Sequence, residues 1–176
     1  PLLLFLAGAA MFLGTAPLRG QIFFPTSLLG YNYVGSATLH NKSLILTPTG
    51  INQTGAVWFQ QKQAVANGFV TQFQFRMSML GGSGDVNGLN GADGIAFVIQ
   101  NSSDMALGLQ GDGKGYAGLP NSLAIEFDTF ANPPPADAPL SWHVSVQTRW
   151  TKPNSASIRY SLAVVPAPIM DDEKIH

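Results

Sequence analysis

Apolar and polar residues alternate with a period of two in several stretches of this chain. In residues 69–77 the side chains of Phe69, Phe73, Phe75 and Met77 fall on one face, and Gln72, Gln74 and Arg76 fall on the other. That period predicts a half-buried antiparallel strand. Residues 123–130 and 142–149 alternate in the same way, and 95–99 is a short apolar run expected to be buried on both faces. Weaker strands are expected over 36–40, 43–46, 55–59 and 158–164. Between them lie a glycine-rich loop at 81–91, a second loop at 102–115, and a third at 132–139 whose prolines cannot donate ladder hydrogen bonds. From residue 20 to 175 there is no helix-period pattern of useful length and no internal repeat. Many short strands separated by turn signals predict one all-β sandwich domain. Trp58, Phe73, Phe75 and Phe97 read as its core.

The two ends have a different character. Residues 1–16 are almost wholly apolar, too short a run for a comfortable membrane span, and end in the small residues Gly14, Thr15 and Ala16. Residues 1–20 therefore read as the remnant of a secretory signal peptide, with a domain over 21–176; the alternatives are a buried core helix or a retained anchor. The polar turn at 171–176 reads as leading into further strands, so the sandwich is expected to be incomplete at its C-terminal side.

Composition narrows the function. Only 11% of the 176 residues are charged against 45% hydrophobic, and 9 Lys and Arg face 10 Asp and Glu. Without a basic excess, binding to nucleic-acid phosphates is not expected. With no cysteine, disulfides, thiolate metal sites and cysteine nucleophiles are excluded.

The chemistry concentrates between Glu126 and Ser145. Strand alternation puts Glu126, Asp128 and Phe130 on one face, Asn132 continues that spacing into the loop, Asp137 comes from the loop, and His143 opens the next strand. Two carboxylates on one face repel and are costly when half buried, and no Lys or Arg lies between Glu126 and Trp142. A bound cation is the economical answer. Carboxylate, amide and carbonyl oxygens suit Ca²⁺; carboxylates with one imidazole suit Mn²⁺ or another transition ion. The alternative is a solvated acidic edge, with His143 satisfied by a backbone group.

These residues carry a resemblance. The run from Leu123 through Asn132, then Asp137, then His143-Val144-Ser145-Val146, resembles the metal-binding segment of the legume-type (L-type) lectins. Ala92-Asp93-Gly94 resembles that family's Ala-Asp-Gly strand, and Gly115-Tyr116-Ala117-Gly118 its Gly-Tyr-Leu-Gly turn. The wording of 92–149 is most similar to secreted bacterial members. The resemblance implies a concanavalin-like antiparallel β-sandwich. It also implies Mn²⁺ at Glu126, Asp128, Asp137 and His143, and Ca²⁺ at Asp128, Asp137, Asn132 and the Phe130 carbonyl. The sugar would meet Asp93, the Gly115 N–H, the Asn132 amide and the Phe130 ring, and the Ala92–Asp93 peptide would be cis. The interval from Asp137 to His143 is one residue longer than in many relatives.

The function so implied is a secreted or cell-surface, non-catalytic carbohydrate-binding domain whose partners are glycans or glycoconjugates, with no membrane span in the mature domain. Two rivals remain at this point. One is a glycoside hydrolase on the same kind of sandwich, which would need a second Glu after Asp128, where Thr129, Phe130 and Ala131 stand. The other is a structural adhesion domain whose metal only stabilises a loop.

Overall fold

The computed structural model describes residues 2–3, 20–21, 30–40, 43–81, 91–132 and 142–176. In chain order the strands are β1 (Leu2–Leu3), β2 (Gly20–Gln21), β3 (Tyr31–Gly35), β4 (Thr38–His40), β5 (Ser43–Ile45), β6 (Gly55–Phe59), β7 (Phe69–Val70), β8 (Gly94–Gln100), β9 (Ser122–Asp128), β10 (His143–Thr148) and β11 (Ser161–Pro166). Among the described residues the helices are two single 3-10 turns, Gly111–Gly113 and Ile158–Tyr160. The fold is a concanavalin-like β-sandwich.

One sheet dominates, in the order β11-β10-β9-β8-β1-β6-β3. Its β8–β9, β9–β10, β10–β11 and β3–β6 ladders are antiparallel, while the two residues of β1 pair parallel to β6 and β8. Of the expected signal segment, only Leu2–Leu3 and Gly20 are among the described residues.

The two faces of this sheet bury different things. On one face Tyr31, Val57 and Ile95, with Phe127 and Val144 beside them, pack against an opposing layer that supplies Leu46, Phe75, Met77 and Met170. Phe73 stacks on Phe97 with centroids 5.7 Å apart and meets the edge of Phe127 at 6.0 Å, the offset and edge-on contacts that aromatic quadrupoles favour. On the other face Ala56, Ala96 and Ala124, each fully buried, sit on β6, β8 and β9 in two adjacent rows with Trp58 and Val98. Ala106, Tyr116 and Leu119 from residues 102–120 cover them.

The alternation expected over 69–77 holds in burial, since Phe75 and Met77 are buried and Gln72, Gln74 and Arg76 exposed. Ladder pairing, however, is confined to Phe69–Val70, which pairs with β2; further along, Phe75 exchanges both backbone hydrogen bonds with His176. The strand expected at 123–130 stops at Asp128, where the side chain takes over: the Phe130 N–H donates to Asp128 Oδ1 at 2.8 Å. Such a local side-chain bond competes with ladder pairing.

Candidate functional site

The site is built on three rows across the sheet. Asp128 on β9 faces Gly94 on β8 and His143 on β10; Glu126 faces Ala96 and Ser145; Ala124 faces Val98 and Gln147. The rows place Glu126, Asp128, His143, Ser145 and Gln147 on the face covered by residues 102–120, and all five are buried. The solvated-edge alternative is thereby excluded for these residues.

Gly94 allows the row to close. Its φ is +127°, and a Cβ there would lie 2.2 Å from the Phe127 carbonyl oxygen. Just before it, the Ala92–Asp93 peptide is cis, as the resemblance implied. The Asp93 carbonyl accepts the Thr129 N–H at 3.2 Å, and Thr129 Oγ1 donates to the Gly91 carbonyl at 2.9 Å. The loop bearing Asp93 is thus stitched to the chain that leaves β9 toward Phe130 and Asn132. Asp93, Phe130 and Asn132 are all partly exposed. Burial pushes the Asp93 carboxyl up; Lys114 pulls it back and Asp112 adds to the rise.

The covering segment is fastened to the sheet at several points. Trp58 Nε1 donates to the Ala106 carbonyl at 2.7 Å, and the Tyr116 hydroxyl donates to Glu126. Within the segment the Leu109 N–H donates to the Ala117 carbonyl at 2.8 Å, and the Gly118 N–H ties it to the Asn154 carbonyl in the loop after β10 at 2.9 Å. Gly108 permits the close fold of the segment on itself, since a Cβ there would be 2.5 Å from the Ala117 carbonyl oxygen.

This segment delivers a residue that the sequence did not reveal as part of the site. Lys114 closes the Gly111–Gly113 turn in the left-handed region at φ 44°, and its side chain is fully buried. Its Nζ lies 2.8 Å from Glu126 Oε1 and 2.6 Å from Asp128 Oδ2. Burial alone would depress the Lys114 ammonium, but Glu126 and Asp128 outweigh it and hold its pKa above the ordinary lysine range. Burial likewise opposes the Glu126 carboxylate, yet Lys114 and Tyr116 keep its pKa below the usual value. Contrary to the expectation from sequence, the carboxylates do have a neutralising cation in the chain. None lies between Glu126 and Trp142, but one arrives from twelve residues upstream of Glu126. Its sequence signal was a lysine between glycines just before an aromatic residue, in a stretch that otherwise reads as a flexible loop.

The other expected site residues fall as follows. Glu126, Asp128 and His143 converge, with one potential ligand atom from each lying within 4.8 Å of the others. Among the described residues neither ring nitrogen of His143 has a hydrogen-bond partner, and burial, with Lys114 adding to it against Glu126, lowers its pKa. Phe130 lies beyond the strand, and its carbonyl accepts the Asn132 N–H at 3.1 Å, which leaves one lone pair. Asp137 lies outside the described residues. Gly115 departs from expectation: it is buried, and its N–H donates to the Leu109 carbonyl at 2.9 Å. The internal bonding of the turn thus takes the N–H that the resemblance assigned to a sugar.

The donor types at the end of β9 fit calcium: the Asp128 carboxylate, the Phe130 carbonyl and the Asn132 side-chain oxygen. Glu126, Asp128 and His143 have the donor set of a transition-ion site, but Lys114 stands against the same two carboxylates. The set therefore does not fit such an ion while the ammonium is in place.

Comparison with known proteins agrees with this architecture. The family described as legume lectin domain matches residues 24–163, and the chain belongs to that family. It is a carbohydrate-binding lectin domain by membership. A stretch of 102 residues, 57% of this chain, is 36% identical to the pesticidal crystal protein Cry22Aa of Bacillus thuringiensis, and the match covers 13% of that protein. Among the described residues no helix is long and apolar enough to cross a membrane.

Proposed function

We propose that this chain is an exported, non-catalytic lectin domain that binds glycans at the open end of β9, where Asp93, Phe130 and Asn132 meet a calcium ion. The ion would be held by Asp128, Asn132, the Phe130 carbonyl and Asp137. The observation that carries this reading is the stitching of the Asp93 loop to Thr129, which sets an acceptor carboxylate beside the segment bearing an aromatic ring and an amide. A sugar needs that combination: acceptors and donors for its hydroxyls and an apolar face for its C–H side. Export is supported by the apolar run at 1–16, and a reporter fused to that run and assayed for secretion tests it.

The hydrolase reading is disfavoured by the state of its candidate carboxylates. A glycosidase acid needs a raised pKa and access to the substrate. Glu126 has a lowered pKa, is fully buried, and is held by Lys114 and Tyr116.

The test is a glycan-array screen of the protein with and without EDTA, followed by calorimetric titration of the best glycan into Asp93→Ala. Binding is expected to need calcium and to be lost in Asp93→Ala while the fold is retained. Full affinity in a folded Asp93→Ala would remove this site assignment. Calcium uptake by the folded domain with no glycan bound on the array would favour the structural adhesion role.

A further inference from the structure

The cluster beneath residues 102–120 already contains a cation. Besides its two carboxylate contacts, Lys114 Nζ donates to the Asp112 carbonyl at 3.2 Å. An ammonium has three N–H donors and no acceptor, so these three oxygens use it fully. The remaining carboxylate oxygens are also engaged: Glu126 Oε2 accepts from the Tyr116 hydroxyl, and Asp128 Oδ1 accepts from the Phe130 N–H. Every oxygen of the pair therefore faces a donor supplied by the chain itself; Asp128 Oδ1, whose partner is a neutral N–H rather than the ammonium, can also share a lone pair with calcium beyond β9.

A transition ion in this cluster would need the same Glu126 and Asp128 oxygens. It would lie within about 4 Å of the ammonium, in a sealed place where like charges are poorly screened. Formally the two carboxylates and Lys114 carry one net negative charge; adding a dication would leave one net positive charge among fully buried side chains. His143, whose ring nitrogens have no hydrogen-bond partner among the described residues, is then a ligand without an ion.

We infer that Lys114 is the resident cation of the Glu126–Asp128–His143 cluster, so that this domain takes no transition ion there and needs divalent metal only at the calcium position beyond β9. The inference rests on the lectin reading only for where calcium sits.

The test reads metal content, independently of sugar binding. The protein is loaded with Ca²⁺ and Mn²⁺, freed of excess, and assayed by elemental analysis, with Mn²⁺ also followed by electron paramagnetic resonance. The wild type is expected to retain Ca²⁺ without stoichiometric Mn²⁺, and His143→Ala to show the same metal content. Lys114→Met frees the two carboxylates, so it should gain one equivalent of Mn²⁺ that the Lys114→Met, His143→Ala double variant does not bind. One equivalent of Mn²⁺ in the wild type, lost in His143→Ala, would overturn the inference. If Lys114→Met fails to fold, the wild type and His143→Ala decide the matter alone. Failure of the lectin reading would appear separately, as an empty glycan array, and would leave the manganese result to stand by itself.

Discussion

Replacing Lys114 by methionine keeps the length and apolar stem of the side chain and removes its charge, leaving Glu126 and Asp128 facing each other in a buried site. At separations of 2.8 and 2.6 Å and an effective dielectric constant near 20, each attraction is worth roughly 6 kcal/mol before desolvation is set against it. Stranding a buried charge in this way costs about 3–5 kcal/mol net, and we expect that loss for Lys114→Met at pH 7. Glu126→Gln is milder, about 1–3 kcal/mol, because the amide oxygen still accepts from Tyr116 and the Lys114–Asp128 pair survives. In the double variant only Asp128 remains charged, so its cost should fall short of the sum of the single costs by about 1.5–3 kcal/mol. Urea unfolding of the four proteins measures this. Single costs that add to within about 0.5 kcal/mol would refute the claim that these side chains form one electrostatic unit.

The pH dependence has a definite sign. The Glu126 pKa is lowered in the folded wild type, so its contribution is present above the unfolded value of about 4.3 and is lost as pH falls through the folded value. Without Lys114, burial and the neighbouring carboxylate raise Glu126 instead, and the variant gains stability as acid neutralises the pair. The gap between wild type and Lys114→Met should therefore narrow as the pH is lowered from 7 toward 4.

Three further outcomes are expected. Gly94→Ala should lose at least about 3 kcal/mol of stability in thermal unfolding, because φ is +127° and the new Cβ would meet the Phe127 carbonyl at 2.2 Å; an unchanged midpoint would argue against the tight β8–β9 approach. Trp58→Phe should cost about 1–3 kcal/mol by leaving the Ala106 carbonyl unpaired, and limited proteolysis should then cut faster within 102–120; equal cutting rates would show that this bond does not fasten the segment. Phe130→Ala should weaken glycan binding by about 1–3 kcal/mol with calcium content unchanged, since its assigned metal contact is through the backbone; loss of calcium together with affinity would place the ring in a structural role.

The strands that carry the site were legible because their faces differ in chemistry. Ser122–Asp128 and His143–Gln147 do alternate, but in the opposite phase to an apolar-in, polar-out strand: Glu126, Asp128, His143, Ser145 and Gln147 are fully buried while Phe127, Val144 and Val146 are half-buried, because residues 102–120 cover the polar face. Gly94–Gln100 is buried on both faces over most of its length, as its apolar run implies. Tyr31–Gly35 was not foreseen, because Asn32 and Gly35 interrupt its apolar pattern. The end of β9 was misjudged by two residues, since periodicity cannot show that the Asp128 side chain will capture the Phe130 N–H. Lys114 was invisible for a related reason. A two-residue period describes a strand and its own faces, whereas this lysine reaches the cluster from a segment that crosses the sheet, guided by Trp58 and Tyr116 rather than by any local pattern. Gly115 was misread through the same segment, whose internal bonds take its N–H.

The alanine patch on β6, β8 and β9 has a consequence for how this domain tolerates change. Ala56, Ala96 and, one row further along, Ala124 are fully buried beneath Tyr116 and its neighbours, so the thickness of the sheet at that patch sets the height at which the covering segment rests. A bulkier residue there, though uncharged and not itself a site residue, would jack the segment upward and draw an ammonium and a hydroxyl away from the carboxylates below. Methyl-sized side chains thus act as the spacer that gauges an electrostatic contact, and drift in apolar volume at this patch would be felt as a change in charge balance beneath the same covering segment.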